Sequence, residues 1–271
     1  MQKERLDVLL TQRGLAESRS LAQRLIMAGQ VRVNGQVYIK PATKVLPDAE
    51  LTVDQGQRFV SRGGEKLEAA MQTFGFEKID GMMCADVGSS TGGFTDCMLQ
   101  HGAEKVYAID VGYGILHWKM RNHPRVVSME RTNARYVEGF DEPVHLVTMD
   151  ASFIPLKILL PVAIGWFGPE GGQMLVLVKP QFEAGRKVVA KGKGVVRDPE
   201  VHRNVLMEVL GFAQETGLEV RGLIASPLKG PKGNTEFLAH LVYPAENQAD
   251  LEEMVRAVLP EIVEEEKESN D

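Results

Sequence analysis

Two cysteines in a chain of 271 residues, Cys84 and Cys97, leave nothing from which to build a disulfide framework. They have no zinc spacing either, and the six histidines, at positions 101, 117, 123, 145, 202 and 240, form no ligand pair, so no metal is expected. No long apolar run is present. The most hydrophobic segment, 158–168, is too short to span a bilayer and contains Pro161. The first residues carry no apolar leader, so a secretory signal is not expected and the cytoplasm is the expected location. No lysine or arginine lies between Lys78 and Lys105, which deprives that stretch of a side-chain cation for a pyrophosphate. A net charge of −6 argues against nucleic acid only at face value. Residues 1–60 hold nine Lys+Arg against six Asp+Glu, residues 61–244 twenty against twenty-one, and residues 245–271 two against ten. The negative sign therefore belongs to the C-terminal end, and the N-terminal part is mildly basic.

The cation-free stretch contains the run around which the chain is organised, Cys84-Ala85-Asp86-Val87-Gly88-Ser89-Ser90-Thr91-Gly92-Gly93-Phe94-Thr95. A short apolar strand, a turn with three glycines and a helix in succession make a nucleotide-sized pocket at the carboxyl ends of an open α/β sheet. The glycines fall as G-x-x-x-G-G, which is neither the dinucleotide fingerprint G-x-G-x-x-G nor a P-loop with its Gly-Lys-Ser/Thr. Asp86 before the turn suits a ligand with a cationic end, such as the amino group of S-adenosylmethionine. The loop amides, from Gly88, Ser89 and Ser90 to Gly92, Gly93 and Phe94, with the helix N-terminus, would receive its carboxylate. Asp110, followed by Val111, ends the next strand twenty-two positions after Gly88, where an acid typically takes ribose hydroxyls. Asn133, after a strand ending near Met129, is placed to face an adenine. One glycine loop alone is equally an ordinary tight turn; the Asp110 partner favours a nucleoside pocket.

The first 60 residues read as a small α+β module. Leu6, Leu9 and Leu10 recur at helical spacing until Gly14, and a second helix is capped by Ser18, shows Leu21 and Leu25 on one face, and stops at Gly29. Asn34-Gly35 between alternating valines is a hairpin signal, and residues 50–53 look like a closing strand. The run from Ser18 to Gly35 resembles the alpha-L RNA-binding motif first defined in a ribosomal protein. That resemblance implies an RNA-contacting face with Arg5, Arg19, Arg24 and Arg32 as candidates, whereas the charges alone would equally suit a solvated helix face.

Residues 61–65 read as a linker, with Gly63-Gly64 able to flex, and Lys66 as the opening of an amphipathic helix. From residue 66 to 244 strands and helices alternate, with seven strands at 82–87, 105–110, 126–129, 144–150, 173–179, 218–224 and 236–243. Such alternation argues a Rossmann-like parallel sheet with helices on both faces. Residues 245–271 read as an acidic helix and tail.

Asp150 ends one strand, Lys179 ends the next, Glu236 begins the last, and Lys66 stands at the start of a helix that could reach the same rim. Each alone also fits a solvent-facing strand terminus. In order, the four resemble the Lys-Asp-Lys-Glu set of the FtsJ-like RNA ribose 2′-O-methyltransferases. Asp150 also falls among the expected cofactor-binding positions. Within that class the runs 60–67, 86–95, 150–154 and Lys179-Pro180-Gln181-Phe182-Glu183-Ala184-Gly185 resemble the TlyA family, whose members carry the names haemolysin A and ribosomal RNA methyltransferase. The resemblance spans residues 3 to about 243. It implies cytidine 2′-O-methylation in ribosomal RNA, S-adenosylmethionine as cofactor, and ribosomal RNA or ribosomal subunits as partner. After Asp150, Ala-Ser-Phe replaces the broader family's Met-Ala-Pro, which bears on substrate choice. The residues also exclude competing acceptors. Cys84 and Cys97 do not sit where a cytosine C5 nucleophile belongs, and Asp150-Ala151-Ser152-Phe153 lacks the prolines of amine methylation. The stretch 186–197, with Arg186, Lys187, Lys191, Lys193 and Arg197, holds five cations and no acid, and with Arg62 is expected to meet substrate phosphates. A membrane-active haemolysin, the different-class alternative, would need a spanning or strongly basic amphipathic segment that the sequence lacks.

Overall fold

The computed structural model describes residues 3–54, 56–185, 189–190 and 192–259. They form two compact units, Met1–Arg58 and Phe59–Asp271.

In the first unit, β1 (Glu4–Arg5) leads directly into α1 (Leu6–Gln12), followed by α2 (Arg19–Met27), β2 (Val31–Val33), β3 (Gln36–Tyr38), β4 (Lys44–Val45) and β5 (Leu51–Val53). Ser18 caps α2 by accepting the Leu21 amide at 3.2 Å. β2 pairs antiparallel with both β3 and β5, and β1 with β4. Asn34 and Gly35 turn the β2–β3 hairpin with φ of +48° and +80°, the doubly left-handed turn that an Asn-Gly pair makes at least cost. Leu6, Leu10, Ile26 and Val31 fill a small core. The inward stripe of α2 is Ala22 and Ile26, with Leu21 and Leu25 on its flank. The expected Leu21/Leu25 face is thus displaced by one residue, because it is Ala22 and Ile26 that meet the leucines of α1.

The second unit has the elements α3 (Gly63–Phe74), β6 (Met83–Val87), α4 (Gly93–Gln100), β7 (Lys105–Ile109), α5 (Trp118–Arg121), β8 (Val126–Met129), β9 (Leu146–Met149), α6 (Leu156–Ile164), β10 (Gly172–Val178), α7 (Pro180–Glu183), α8 (Pro199–Glu215), β11 (Glu219–Ala225), β12 (Phe237–Tyr243) and α9 (Leu251–Val258). Asp198 caps α8 ahead of a proline at its first position, as the sequence predicts. The seven strands lie in the order β11-β12-β10-β9-β6-β7-β8. β9, β6, β7, β8 and β10 run parallel, while β12 is antiparallel to both its neighbours. The expected all-parallel sheet is corrected there. Only Ser226–Glu236 separate β11 from β12, too few for a helical crossover to a parallel neighbour, so the chain turns back on itself.

Alternate strand residues feed two cores. Ala85, Val87, Val147, Val176 and Ala239 face α6, α8 and α9 on one side, while Cys84, Leu146, Leu175 and Leu238 face α3 and α4 on the other. This parity decides the fate of every polar residue inside a strand. The expected linker at 61–65 is also corrected. Gly63, Gly64 and Glu65 already belong to α3, and Gly64 is buried so closely against Phe59 that a Cβ would lie 2.3 Å from its ring. Close approach, not hinge freedom, is what Gly64 supplies.

Candidate active site

β6 is the switch point of the sheet: the chain proceeds from it outward to β7 and β8 on one side and returns to β9 and β10 on the other. A crevice opens at that point, outside the carboxyl ends of the strands. Its two lobes share Gly88, Ser90, Asp150 and Ser152. Gly88 has φ +80°, and a Cβ there would come within 2.8 Å of the Asp150 carbonyl, so the turn after β6 packs directly on the end of β9. Gly92 caps α4 at φ +93°, and a Cβ on Gly93 would collide with Ser61 Oγ and the Gly64 amide. The three glycines therefore serve the turn, the cap and the α3–α4 contact in succession.

The first lobe, about 350 Å³, is lined by Ser61, Arg62, Lys66, Phe94, Lys179 and Glu236 among others. Two lysine–carboxylate pairs form its wall. Lys179 Nζ stands 2.5 Å from Asp150 Oδ1 and donates to the Asp150 carbonyl and to Ser152 Oγ, both at 3.1 Å. Lys66 Nζ donates to Glu236 Oε2 at 2.6 Å, and Gln181 Nε2 donates to Glu236 Oε1 at 2.9 Å. Glu236 is buried, and a Cβ on Gly230 would sit 2.0 Å from its Oε1, so the carboxylate rests in the space that this glycine leaves. Because β12 runs antiparallel, its beginning lies at the same sheet edge where β9 and β10 end. That brings Glu236 beside Asp150 and Lys179.

The second lobe, about 230 Å³, is apolar on Val87, Ile109, Val111, Ala134 and Ile154 and polar on Asp110. The Ser90 amide donates to Asp110 Oδ2 at 2.8 Å and the Gly112 amide to Oδ1 at 2.7 Å. Each oxygen keeps a second lone pair for hydroxyls of a sugar. An apolar slot with a fixed acid at its mouth, joined to a loop that carries no side-chain cation, fits a nucleoside with one small polar tail better than a pyrophosphate.

Not every expected site residue reaches the crevice. Asp86 is fully buried beneath the loop, accepting from Thr95 Oγ1 at 2.6 Å and from Thr148 Oγ1 at 3.3 Å. It lies inside β6 and shares Cys84's side of the sheet. Burial, followed by the nearby Asp150 charge, pushes its carboxyl up to about 7. Its place is to hold the first turn of α4 through Thr95. Asn133 caps a short helical turn by accepting the Arg135 amide at 3.1 Å, while its neighbours Thr132 and Ala134 line the second lobe. Gly92 lies behind the lobe, against Leu116 and Met120.

Of the expected RNA contacts, Arg24, Arg32, Arg62 and Lys193 are exposed. Arg5 and Arg19 both bond the buried Asp7, at 2.9–3.0 Å, together with Gln23 at 2.8 Å. Arg186, Lys187 and Lys191 lie outside the described residues. The sequence reading missed Ser152, Gln181, Gly230 and Phe153. Phe153 is 85% exposed at φ +66°, stacked obliquely on Phe182 with ring centres 4.8 Å apart. A bulky residue in left-handed backbone has no sequence signature, but Gln181 stands two positions after Lys179, inside the same 179–185 run.

A nucleoside crevice at the switch point of a seven-stranded sheet, walled by two lysine–carboxylate pairs, defines a Rossmann-like methyltransferase. The profile of the FtsJ-like methyltransferase family matches residues 59–243, and that of the S4 domain matches residues 4–51. The chain belongs to the FtsJ-like methyltransferase family and carries an S4 domain ahead of it. YqxC of Bacillus subtilis, which bears an rRNA methyltransferase designation, is 51% identical over 250 residues, 91% of this chain and 88% of its own. The 16S/23S rRNA (cytidine-2'-O)-methyltransferase TlyA of Mycobacterium tuberculosis is 46% identical over 243 residues, 88% of this chain and 90% of its own. A solved structure from Streptococcus thermophilus with a hemolysin designation superposes with a TM-score of 0.72 at 44% identity, covering 100% of this chain and 99% of that one. Among the described residues no helix is long and apolar enough to cross a membrane.

Proposed function

We propose that this protein transfers a methyl group from S-adenosylmethionine to the ribose 2′-hydroxyl of a cytidine in ribosomal RNA. The observation that carries the reading is the pairing of Lys179 with Asp150 and of Lys66 with Glu236 on one wall of the crevice. When bound, the cofactor supplies an electrophilic methyl on a sulfonium. Asp110 and the apolar second lobe hold the nucleoside part, and Thr91 and Gly93, which line the first lobe, face its polar tail. The expected cradle of loop amides is narrower than the sequence suggests. The Gly88 and Ser89 amides bond the Ile109 carbonyl, the Ser90 amide bonds Asp110, and the Gly92 amide bonds the Ser89 carbonyl. The reaction moves CH₃ from sulfur to O2′. The C–S bond breaks with its electron pair staying on sulfur, the O–C bond forms, and the hydroxyl proton passes to the Lys179–Asp150 pair. Charge is dispersed rather than built, so alignment contributes more than oxyanion stabilisation. Lys179, fixed by three oxygens, aims the acceptor's lone pair, and Lys66 with Glu236 lines the same lobe beside it. The S4 domain, with Arg24 and Arg32 exposed, supplies an RNA-contacting surface.

The test is incubation of the full chain with radiolabelled S-adenosylmethionine and, separately, with large subunits, small subunits and naked ribosomal RNA lacking the modification. Label should enter RNA, protect the adjacent phosphodiester from alkali, and disappear with Lys179→Ala. Label that is alkali-labile or lost with the base, or no incorporation into any of the three, overturns the reading.

A further inference from the structure

Next to the catalytic cleft lies a second cavity of about 320 Å³, lined by Arg197, His202, Lys229 and Thr235 over a floor of Phe237 and Val258. Lys229 lines both. We infer that this cavity holds a nucleotide flanking the methylated one, with Arg197 and Lys229 on its phosphate and the apolar floor under its sugar and base. The inference rests on the RNA methyltransferase reading and adds a strand subsite to it.

Charge comes first. Positions 184–197 and 220–235 contain no aspartate or glutamate, while the described parts of these stretches carry Lys193, Arg197, Arg221, Lys229 and Lys232. Of the four acids that bound them, Glu183 Oε1 accepts the Leu156 amide at 3.0 Å and Asp198 Oδ1 accepts the Glu200 amide at 3.0 Å. Glu219 pairs with Arg221 at 3.1 Å, and both oxygens of Glu236 are taken by Lys66 and Gln181. That leaves Arg197 and Lys229 as the charged residues of the cavity's lining. A cavity that is cationic on both sides suits an anion, and the apolar floor suits a flat or furanose ring better than a free phosphate. Its volume is within the usual range of small-ligand sites.

The lip is built rather than loose. Asn234 is 2% exposed, its Oδ1 accepts the Val196 amide at 3.0 Å, and its Nδ2 donates to the Gly194 carbonyl at 3.1 Å. Its carbonyl takes the Gly230 amide at 2.8 Å. One buried amide thus ties the segment before Arg197 to the segment after Lys229. Lys193 and Lys232 both sit in left-handed backbone, at φ +52° and +62°, a region that lysine seldom adopts. Lys232 packs close to Gly194, so the two strained lysines share one lip. Lys229 Nζ donates to Thr235 Oγ1 at 2.8 Å, which fixes the ammonium on the wall between the two cavities. A phosphate there would join the nucleotide in the catalytic cleft to its neighbour.

The experiment measures binding of naked ribosomal RNA by the full chain at several salt concentrations, together with methylation kinetics, for Arg197→Ala, Lys232→Gln and the charge-preserving Arg197→Lys. Removing one cation from a phosphate should flatten the slope of log Kd against log salt by about 0.7–0.9. Arg197→Ala should do this, raise the KM for RNA at least five-fold, and leave S-adenosylmethionine affinity and the rate at saturating RNA within two-fold. Lys232→Gln should follow in the same direction and Arg197→Lys should retain the parent slope. An unchanged slope in Arg197→Ala and Lys232→Gln alike, with methylation intact, overturns the subsite and leaves the methyltransferase reading standing. A parent chain that binds RNA with an Arg197-dependent slope but labels none of it overturns the enzymatic reading and leaves the subsite standing.

Discussion

Lys66 and Glu236 stand 170 positions apart in the chain and 2.6 Å apart in the fold. Lys66 is on the helix that precedes the sheet, and Glu236 immediately precedes the antiparallel strand β12. Both are buried. Each cancels a charge that the other could not carry alone in that position, so the pair acts as a unit in stability as well as in catalysis.

Lys66→Met should therefore destabilise the second unit by about 3–5 kcal/mol, because it leaves the Glu236 carboxylate buried without its cation. Lys66→Met with Glu236→Gln should recover more than half of that loss while remaining at least a hundred-fold less active. Denaturant melts of Lys66→Met, Glu236→Gln and the double variant give the coupling directly. Strict additivity would mean that the two groups do not interact.

Lys179 contacts Asp150 Oδ1, the Asp150 carbonyl and Ser152 Oγ, and no part of the second lobe beyond those two residues. Lys179→Ala should lower methyl transfer by about 10²–10⁴-fold, the range for a positioned proton-transfer group. Cofactor affinity, read by calorimetry, should stay within three-fold. A parallel loss of cofactor binding would place Lys179 in the cofactor site instead.

At Gly88 the backbone is left-handed and the Asp150 carbonyl lies 2.8 Å from where a Cβ would stand. Gly88→Ala cannot relax by moving a side chain, since its neighbour is backbone. Cofactor affinity should fall at least ten-fold, and the melting temperature should drop by several degrees. Unaltered cofactor binding would show that the β6 turn and the end of β9 can separate freely.

Asp86 gives a pH dependence with a definite sign. Its folded value of about 7 lies above the ordinary carboxylate value near 3.9. Between those two the folded state holds a proton that the unfolded state has released, so stability falls as pH rises from about 4 to 7 and is level above. The full effect is on the order of 4 kcal/mol. Asp86→Asn should abolish that slope and melt higher than the parent at pH 8. A lower melting temperature for Asp86→Asn at pH 8 would show that the ionised carboxylate is the stabilising form.

Asp7 behaves oppositely. Arg5 first, then Gln23 and Arg19, hold its carboxyl well below the ordinary range against the effect of burial. Stability from Asp7 is present above about pH 4 and is lost as pH falls through the depressed folded value. Asp7→Asn should destabilise the first unit by about 2 kcal/mol, since three partners lose a charged acceptor. It should also free Arg5 and Arg19, so RNA affinity measured under conditions where the unit remains folded should hold or rise. If affinity instead falls with the fold intact, the arginines work as Asp7 orients them.

The sequence alone determined what depends on a residue and its near neighbours. Left-handed turns required Gly88, Gly92 and the Asn34-Gly35 pair; the Ser18 and Asp198 caps and the apolar periodicity marked where elements begin, because those are local constraints on φ, hydrogen bonding and burial. Asp110, just past the end of β7, was legible for the same reason. Tertiary structure decided the rest. Two acids near strand ends look alike in a sequence, yet strand parity turned Asp86 into the layer under α4, whereas Asp110 sits one residue beyond its strand at the lobe. Strand direction is also non-local: only the antiparallel run of β12 between β10 and β11 brings the start of that strand to the edge where β9 and β10 end. Without that reversal Glu236 would stand at the far edge of the sheet, and Lys66, Gln181 and Gly230 would have no common carboxylate to meet.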